Sequence, residues 1–246
     1  MISEGHVHLG YWDASNPSSS YAAAAHKLTE IMIAKTHIQA DQRFCDLGCG
    51  VGAPAMALAQ AKQCYVDGIT ISSFQQASAT ARAQAQGMQG RTSFIADNVL
   101  TMPFDDNTYD GGWFFESIFH MGHREALHAA HRVLKPGAAL LIADLTALPT
   151  ITPEFTLFAK DQMYSAFIAK EAYPELLAET GFELLDITNI SSHVMPFLVP
   201  KIKDTIDTYK AEILKHLDKQ VIEETVMTFQ YMADNLEYVL VSARKL

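Results

Sequence analysis

Phe44-Cys45-Asp46-Leu47-Gly48-Cys49-Gly50-Val51-Gly52 reads as a short buried strand, a tight glycine turn and the start of a helix. Ala53 to Lys62 carries the helix on, rich in Ala, with Pro54 in the first turn, where proline is tolerated. Glycines at alternate positions let the backbone turn sharply and approach a ligand closely. The helix start offers unpaired N–H groups and a positive dipole end. The spacing is D-x-G-x-G-x-G, not the G-x-G-x-x-G of dinucleotide sites. Asp46 stands where a pyrophosphate would arrive; it would repel phosphate and attract an ammonium group. The bland alternative is a strand–turn–helix corner with no ligand.

Working outward, strands are expected at 43–47, 64–71, 92–96, 109–115 and 139–144. Helices are expected at 53–62, 74–86 and 123–134, the last stopped by Lys135-Pro136-Gly137. This alternation predicts a mostly parallel sheet with helices on both faces. Upstream, Ser15 to Ser20 reads as a turn and helix start, and a helix follows from Tyr21 to about His37. Downstream the rhythm changes. A helix at 172–180 and strands at 182–190 and 236–243 complete the sheet. Residues 147–170 and 194–232 read as cap insertions over the sheet's carboxyl edge, where open α/β sheets bind ligands. Ile202, Ile206, Tyr209, Ile213 and Leu217 recur at three- and four-residue steps and predict one apolar helical face. An oligomer interface would use the same pattern.

The 246 residues fit a single domain, with 1–40 as an N-terminal lid and helix. A net charge of −10 argues against nucleic acid or an anionic membrane as the main partner. Cys45, Cys49 and Cys64 have no zinc or disulfide spacing, so no metal is expected and a reducing cytoplasm is the simplest compartment. Met1 to Trp12 lacks the pattern of a signal peptide, and no apolar run reaches membrane-helix length. Oligomeric state is not legible.

The ordered set of motifs resembles the class I S-adenosylmethionine (SAM) dependent methyltransferases of the sterol, tocopherol and natural-product type, including antibiotic sugar O-methyltransferases. The matching stretches are His8-Leu9-Gly10-Tyr11-Trp12, Asp46 to Gly52, Gly68 to Ser72 with Gln75, Asp97 with Met102-Pro103-Phe104, and Tyr109-Asp110. They continue through Glu116-Ser117, His120-Met121, Val133 to Gly137 and Ala143-Asp144. The resemblance implies a Rossmann-like seven-stranded sheet with a helical cap, SAM as cofactor, and methyl transfer to a small, largely apolar metabolite. O-methylation is favoured because a histidine is available as base.

The resemblance also implies site residues. Asp46 would face the cofactor's ammonium, or else cap the turn's N–H groups. Gly48, Gly50 and Gly52 would allow close approach. Thr70 stands where many relatives carry a carboxylate for the ribose, with Ile71 beside it; Gln75 would share the ribose or be a solvated helix residue. Asp97 would accept from the adenine amino group, with Asn98 and Val99 adding contacts. Glu116 would line the same pocket. Tyr11 and Trp12 would close over the sulfonium, or anchor the N-terminal segment in the core. His120 would take the acceptor's proton and Asp144 would orient it or hold the substrate; a structural histidine is the alternative. An NAD-type oxidoreductase is disfavoured by the glycine spacing and by Thr70. A SAM-binding protein that catalyses cyclisation, or none at all, stays open.

Overall fold

The computed structural model describes residues 6–13 and 19–246. The sequence readings at Met1 to Gly5 and Ser15 to Ser18 lie outside the described residues.

The first helix, α1 (Tyr21–Lys35), starts at Ser20, whose hydroxyl accepts from the Ala23 N–H. Then β1 (Arg43–Leu47), α2 (Ala53–Lys62), β2 (Tyr65–Thr70), α3 (Ser73–Ala85), β3 (Thr92–Ala96) and β4 (Tyr109–Phe115) alternate as the pattern predicts. They are followed by α4 (His123–Val133), β5 (Leu134–Ala147), α5 (Pro153–Gln162), α6 (Tyr173–Glu179) and β6 (Phe182–Asn189). The chain ends through α7 (Ser191–Thr208), α8 (Lys210–Ile213), α9 (Lys219–Asn235) and β7 (Leu236–Lys245).

The sheet has seven strands in the order β3-β2-β1-β4-β5-β7-β6. Only β7 runs antiparallel, pairing with β5 on one side and β6 on the other. Strand order reverses between β1 and β4, the switch point at which such sheets bind ligands. One core packs Leu28, Met32, Leu58 and Trp113 on the face of α1 and α2; the other packs Leu127, Ala130, Tyr173 and Leu177 on the face of α4 and α6.

β5 begins five residues earlier than expected. Between the Tyr109–Leu134 and Gly111–Ala139 pairs its register shifts, so Lys135-Pro136-Gly137 forms an irregular entry to the strand after ending the helix. The region 194–232 is broken into three helices. α7 closes at Tyr209, which also starts α8, and Tyr209 therefore turns outward and is 46% exposed, off the apolar face predicted for it.

Candidate active site

The glycine turn leaves β1 with three of its amides bonded to backbone. Gly48 and Cys49 N–H both donate to Ile69 O, and Gly52 N–H donates to Cys49 O. Gly48 and Gly50 take φ +97° and +53°. A Cβ on Gly48 would lie 2.4 Å from Ser117 Cβ, and one on Gly50 would lie 2.9 Å from Val7. Ser117 locks this corner by donating to Leu47 O at 2.5 Å.

Above the turn is a cavity of about 460 Å³. Its wall includes Asp46, Gly48 and Gly50 from the β1 corner, and Thr70, Ile71 and Gln75 from the β2 corner. Asp97, Asn98 and Val99 come from the end of β3, and Glu116 and His120 from the end of β4. The sequence reading named all of these, although they are up to 74 positions apart. Their convergence follows from a parallel sheet, whose strands all end at one edge.

Asp46 is 1% exposed and its Oδ1 has no hydrogen-bond partner. Burial pushes its carboxyl up to about 7. Its Oδ1 takes no N–H from the turn; Gly48, Cys49 and Gly52 donate instead to the Ile69 and Cys49 carbonyls. Thr70 Oγ1 donates to Gln75 Oε1 at 2.7 Å, so the two act as a joined pair at the β2 corner. Asp97 Oδ1 accepts from the Asn98 N–H at 2.7 Å, and the Asn98 side chain accepts from Leu100 N–H at 2.9 Å, which fixes the rim.

Glu116 has φ +51° and ties the N-terminal segment to the sheet. Its Oε1 accepts from Leu9 N–H at 2.8 Å and from the Tyr238 hydroxyl at 2.6 Å. Burial raises it to about 7. His120 follows in a short 3-10 turn (Ile118–His120). Its Nδ1 lies 3.0 Å from Ser165 Oγ and 3.2 Å from Tyr164 O. Its surface is exposed, yet partial desolvation by its neighbours holds its pKa below the usual imidazole value, against the raising effects of the Tyr164 carbonyl and the Asp144 charge.

Four expected site residues stand elsewhere. Trp12 is fully buried, stacked on Phe197 at 5.6 Å with its Nε1–H donating to Ser19 O at 3.2 Å. Tyr11 stacks on His193 at 4.4 Å. Both anchor the segment in the core and cap helices, and the cavity wall is made instead by Val7 and His8. Gly52 is the N-cap of α2, and a Cβ there would meet Phe94 and Ala79 rather than a ligand. Asp144 projects to the face opposite Ala143 and Leu145, as strand alternation requires. It accepts from the Tyr173 hydroxyl at 2.6 Å and pairs with His123 Nε2 at 3.0 Å, so it neither bonds His120 nor lines the cavity.

The sequence reading missed His8 and Ser165. His8 is buried flat on Phe115, with ring centroids 4.1 Å apart. Its Nδ1 lies 2.8 Å from Leu9 O and its Nε2 3.0 Å from Thr29 Oγ1; burial drives its pKa down to about 3. Val7 and His8 also line a second cavity of about 400 Å³, whose other walls include Ile202, Ile206, Ile213, Leu217 and Ile222. The apolar spacing in 202–217 was the available signal for that chamber. Nothing local in the sequence marked Ser165.

The fold is Rossmann-like, with a cavity at the β1–β4 switch point. Residues 44–137 match the family described as a methyltransferase domain. The chain is 36% identical over 245 residues to the (+)-O-methylkolavelool synthase of Herpetosiphon aurantiacus, covering 97% of this chain and 86% of that one. It is 29% identical to the 27-O-demethylrifamycin SV methyltransferase of Amycolatopsis mediterranei, covering 97% and 89%. Among solved structures, the [4+2]-cyclase SpnF superposes with a TM-score of 0.83 at 26% identity, covering 97% and 88%. The chain belongs to the class I SAM-dependent methyltransferases of natural-product type, and its cofactor is S-adenosyl-L-methionine. Among the described residues no helix is long and apolar enough to cross a membrane.

Proposed function

We propose that this methyltransferase O-methylates a small, largely apolar alcohol, with the cofactor in the 460 Å³ cavity and the acceptor's body in the 400 Å³ chamber beneath the cap helices. The observation that carries this reading is Asp46, a buried carboxylate with an unpartnered oxygen in the wall of a cavity at the glycine turn. An unpaired buried charge is costly, and a cationic ammonium is the partner that offsets the cost. Gly48 and Gly50 line the cavity at φ +97° and +53°, so the turn brings bare backbone to its wall. The Thr70–Gln75 pair suits the ribose hydroxyls, and Asp97 with Asn98 and Val99 suits the adenine end.

When bound, SAM supplies a methyl group already activated on a positive sulfur. The chain's own residues must align the acceptor, exclude water and take a proton. His120, neutral at pH 7 because partial desolvation lowers its pKa, is the proton acceptor in the cavity wall. The chamber is walled by isoleucines and Leu217 and suits a hydrocarbon body. It adjoins the cofactor cavity at Val7 and His8, where the hydroxyl would enter. The relative from Herpetosiphon aurantiacus is named for an O-methylated product, which supports oxygen as the acceptor atom.

The test is incubation with SAM and a panel of hydrocarbon alcohols such as farnesol and geranylgeraniol. Equimolar S-adenosylhomocysteine and methyl ether is the expected result. Likeness to a solved cyclase favours one second reading, in which bound SAM assists a ring closure. Acceptor consumed at unchanged mass, with no S-adenosylhomocysteine, would replace the first reading by the second.

A further inference from the structure

We propose that Ser165 is a positioning residue for His120: with the Tyr164 carbonyl it holds the imidazole as the tautomer protonated at Nδ1, leaving the Nε2 lone pair to receive a proton. The assignment follows from what each partner can do. Ser165 is buried, and its hydroxyl hydrogen is committed to Met163 O at 2.9 Å. Its oxygen therefore accepts at His120 Nδ1, 3.0 Å away. The Tyr164 carbonyl, 3.2 Å from the same nitrogen, can only accept. Two acceptors on Nδ1 place the hydrogen there, and in a neutral ring the other nitrogen then carries the lone pair.

The loop is built to hold this arrangement. Met163 and Ser165 N–H both donate to Ala159 O at the end of α5, at 3.1 and 3.0 Å. Ala166 N–H donates to Phe119 O at 2.9 Å, pinning the loop to the turn that carries His120. Between them Tyr164 takes φ +51°, a left-handed conformation that glycine usually fills just after a helix. That turn brings its carbonyl to the histidine while its side chain stays 79% exposed. On the other side the Phe119 ring lies 4.5 Å from the imidazole.

The charged and titratable groups around the ring are Asp144 from β5, whose field favours the protonated ring, and Glu116 from the end of β4 in the same cavity wall. Partial desolvation outweighs the Asp144 field and favours the neutral ring, the state in which tautomer identity matters.

The catalytic consequence rests on the reading of His120 as the base. As the acceptor oxygen bonds the methyl carbon, the carbon–sulfur bond breaks and the sulfonium departs as a neutral thioether. The hydroxyl proton moves to Nε2. The resulting imidazolium keeps its Nδ1–H bonds to Ser165 and Tyr164, and later returns one proton to solvent.

The test is the long-range ¹H–¹⁵N correlation spectrum of protein labelled with ¹⁵N-histidine, with S-adenosylhomocysteine added, at pH above the imidazole range. His120→Gln assigns the signal among the ten histidines. The wild type should show Nδ1–H with a pyridine-type Nε2. In Ser165→Ala the ratio of tautomers should fall by about tenfold, the scale of one lost hydrogen bond, and Ser165→Thr should restore it. An Nε2–H signal in the wild type, or an unchanged ratio in Ser165→Ala, overturns the proposal. If Ser165→Ala does not fold, Ser165→Gly and Ser165→Cys give the same reading, and an unchanged ratio in a folded one of them overturns the proposal. The base reading fails separately, if His120→Ala keeps full turnover of an alcohol while the tautomer stays as described.

Discussion

At the scale of single residues, the site keeps Asp46 and Glu116 in conditions that disfavour charge. Asp46 is raised to about 7 by burial, whereas an unfolded aspartate titrates near 3.9. The folded chain without cofactor therefore binds this proton more tightly than the unfolded chain. The Asp46 contribution to stability is fully present below the unfolded value and is lost as pH rises through about 7. His8 has the opposite sign. Its folded pKa near 3 gives stability that is present above pH 6.5 and lost as pH falls toward 3. Comparing wild type with Asp46→Asn by urea unfolding at pH 4, 5.5 and 7 cancels the His8 effect. The asparagine variant should gain on the wild type with rising pH, by roughly 1.4 kcal/mol for each tenfold difference in proton affinity between the folded and unfolded carboxyl. A constant difference across that range would mean that Asp46 is not held protonated.

At the scale of elements, the N-terminal segment divides its work between anchoring and lining. Trp12 is wedged against Phe197 and Tyr21, while Val7, five residues earlier, is 64% exposed in the wall shared by the two cavities. Trp12→Ala should cost about 3–5 kcal/mol in chemical unfolding, the range for emptying a large core site. Val7→Ala should change stability by less than about 0.5 kcal/mol. Equal losses would mean that the two share one environment. Sequence left open whether Tyr11 and Trp12 close over the sulfonium or anchor the segment. It could not show which ring faces the ligand, because that depends on α7, far along the chain, meeting Trp12 through His193 O. The cap gives a second test at this scale. Ile206→Trp should fill the apolar chamber and weaken binding of a neutral probe such as N-phenyl-1-naphthylamine about tenfold, a loss of ~1.4 kcal/mol. SAM affinity should stay within twofold of wild type, a difference of ~0.4 kcal/mol. Weakening of both ligands together would place Ile206 in the cofactor site instead.

At the scale of the whole molecule, the parallel half of the sheet was legible because glycine turns and alternating patterns are local signals. The β1 and α2 boundaries agree with expectation to the residue, and the cofactor-side residues Asp46, Thr70, Asp97 and Glu116 meet at one edge. Asp144 was misread because its place in a motif says nothing about which face of β5 it occupies. Its buried partners, His123 and Tyr173, come from two helices on the opposite side from α1 and α2. Ser165 was invisible because its role depends on a helix end folding back onto a turn 45 positions earlier. The proposed cofactor recognition centres on the charge of Asp46 meeting the ammonium of SAM. The most direct measurement is calorimetric titration of SAM into wild type and Asp46→Asn at pH 6 and 7.5. Wild-type affinity should rise roughly fivefold over that interval as Asp46 ionises, since most of the ammonium is still charged at pH 7.5, and the variant should bind weakly with little dependence on pH. Equal affinity of the two proteins at both pH values would contradict it.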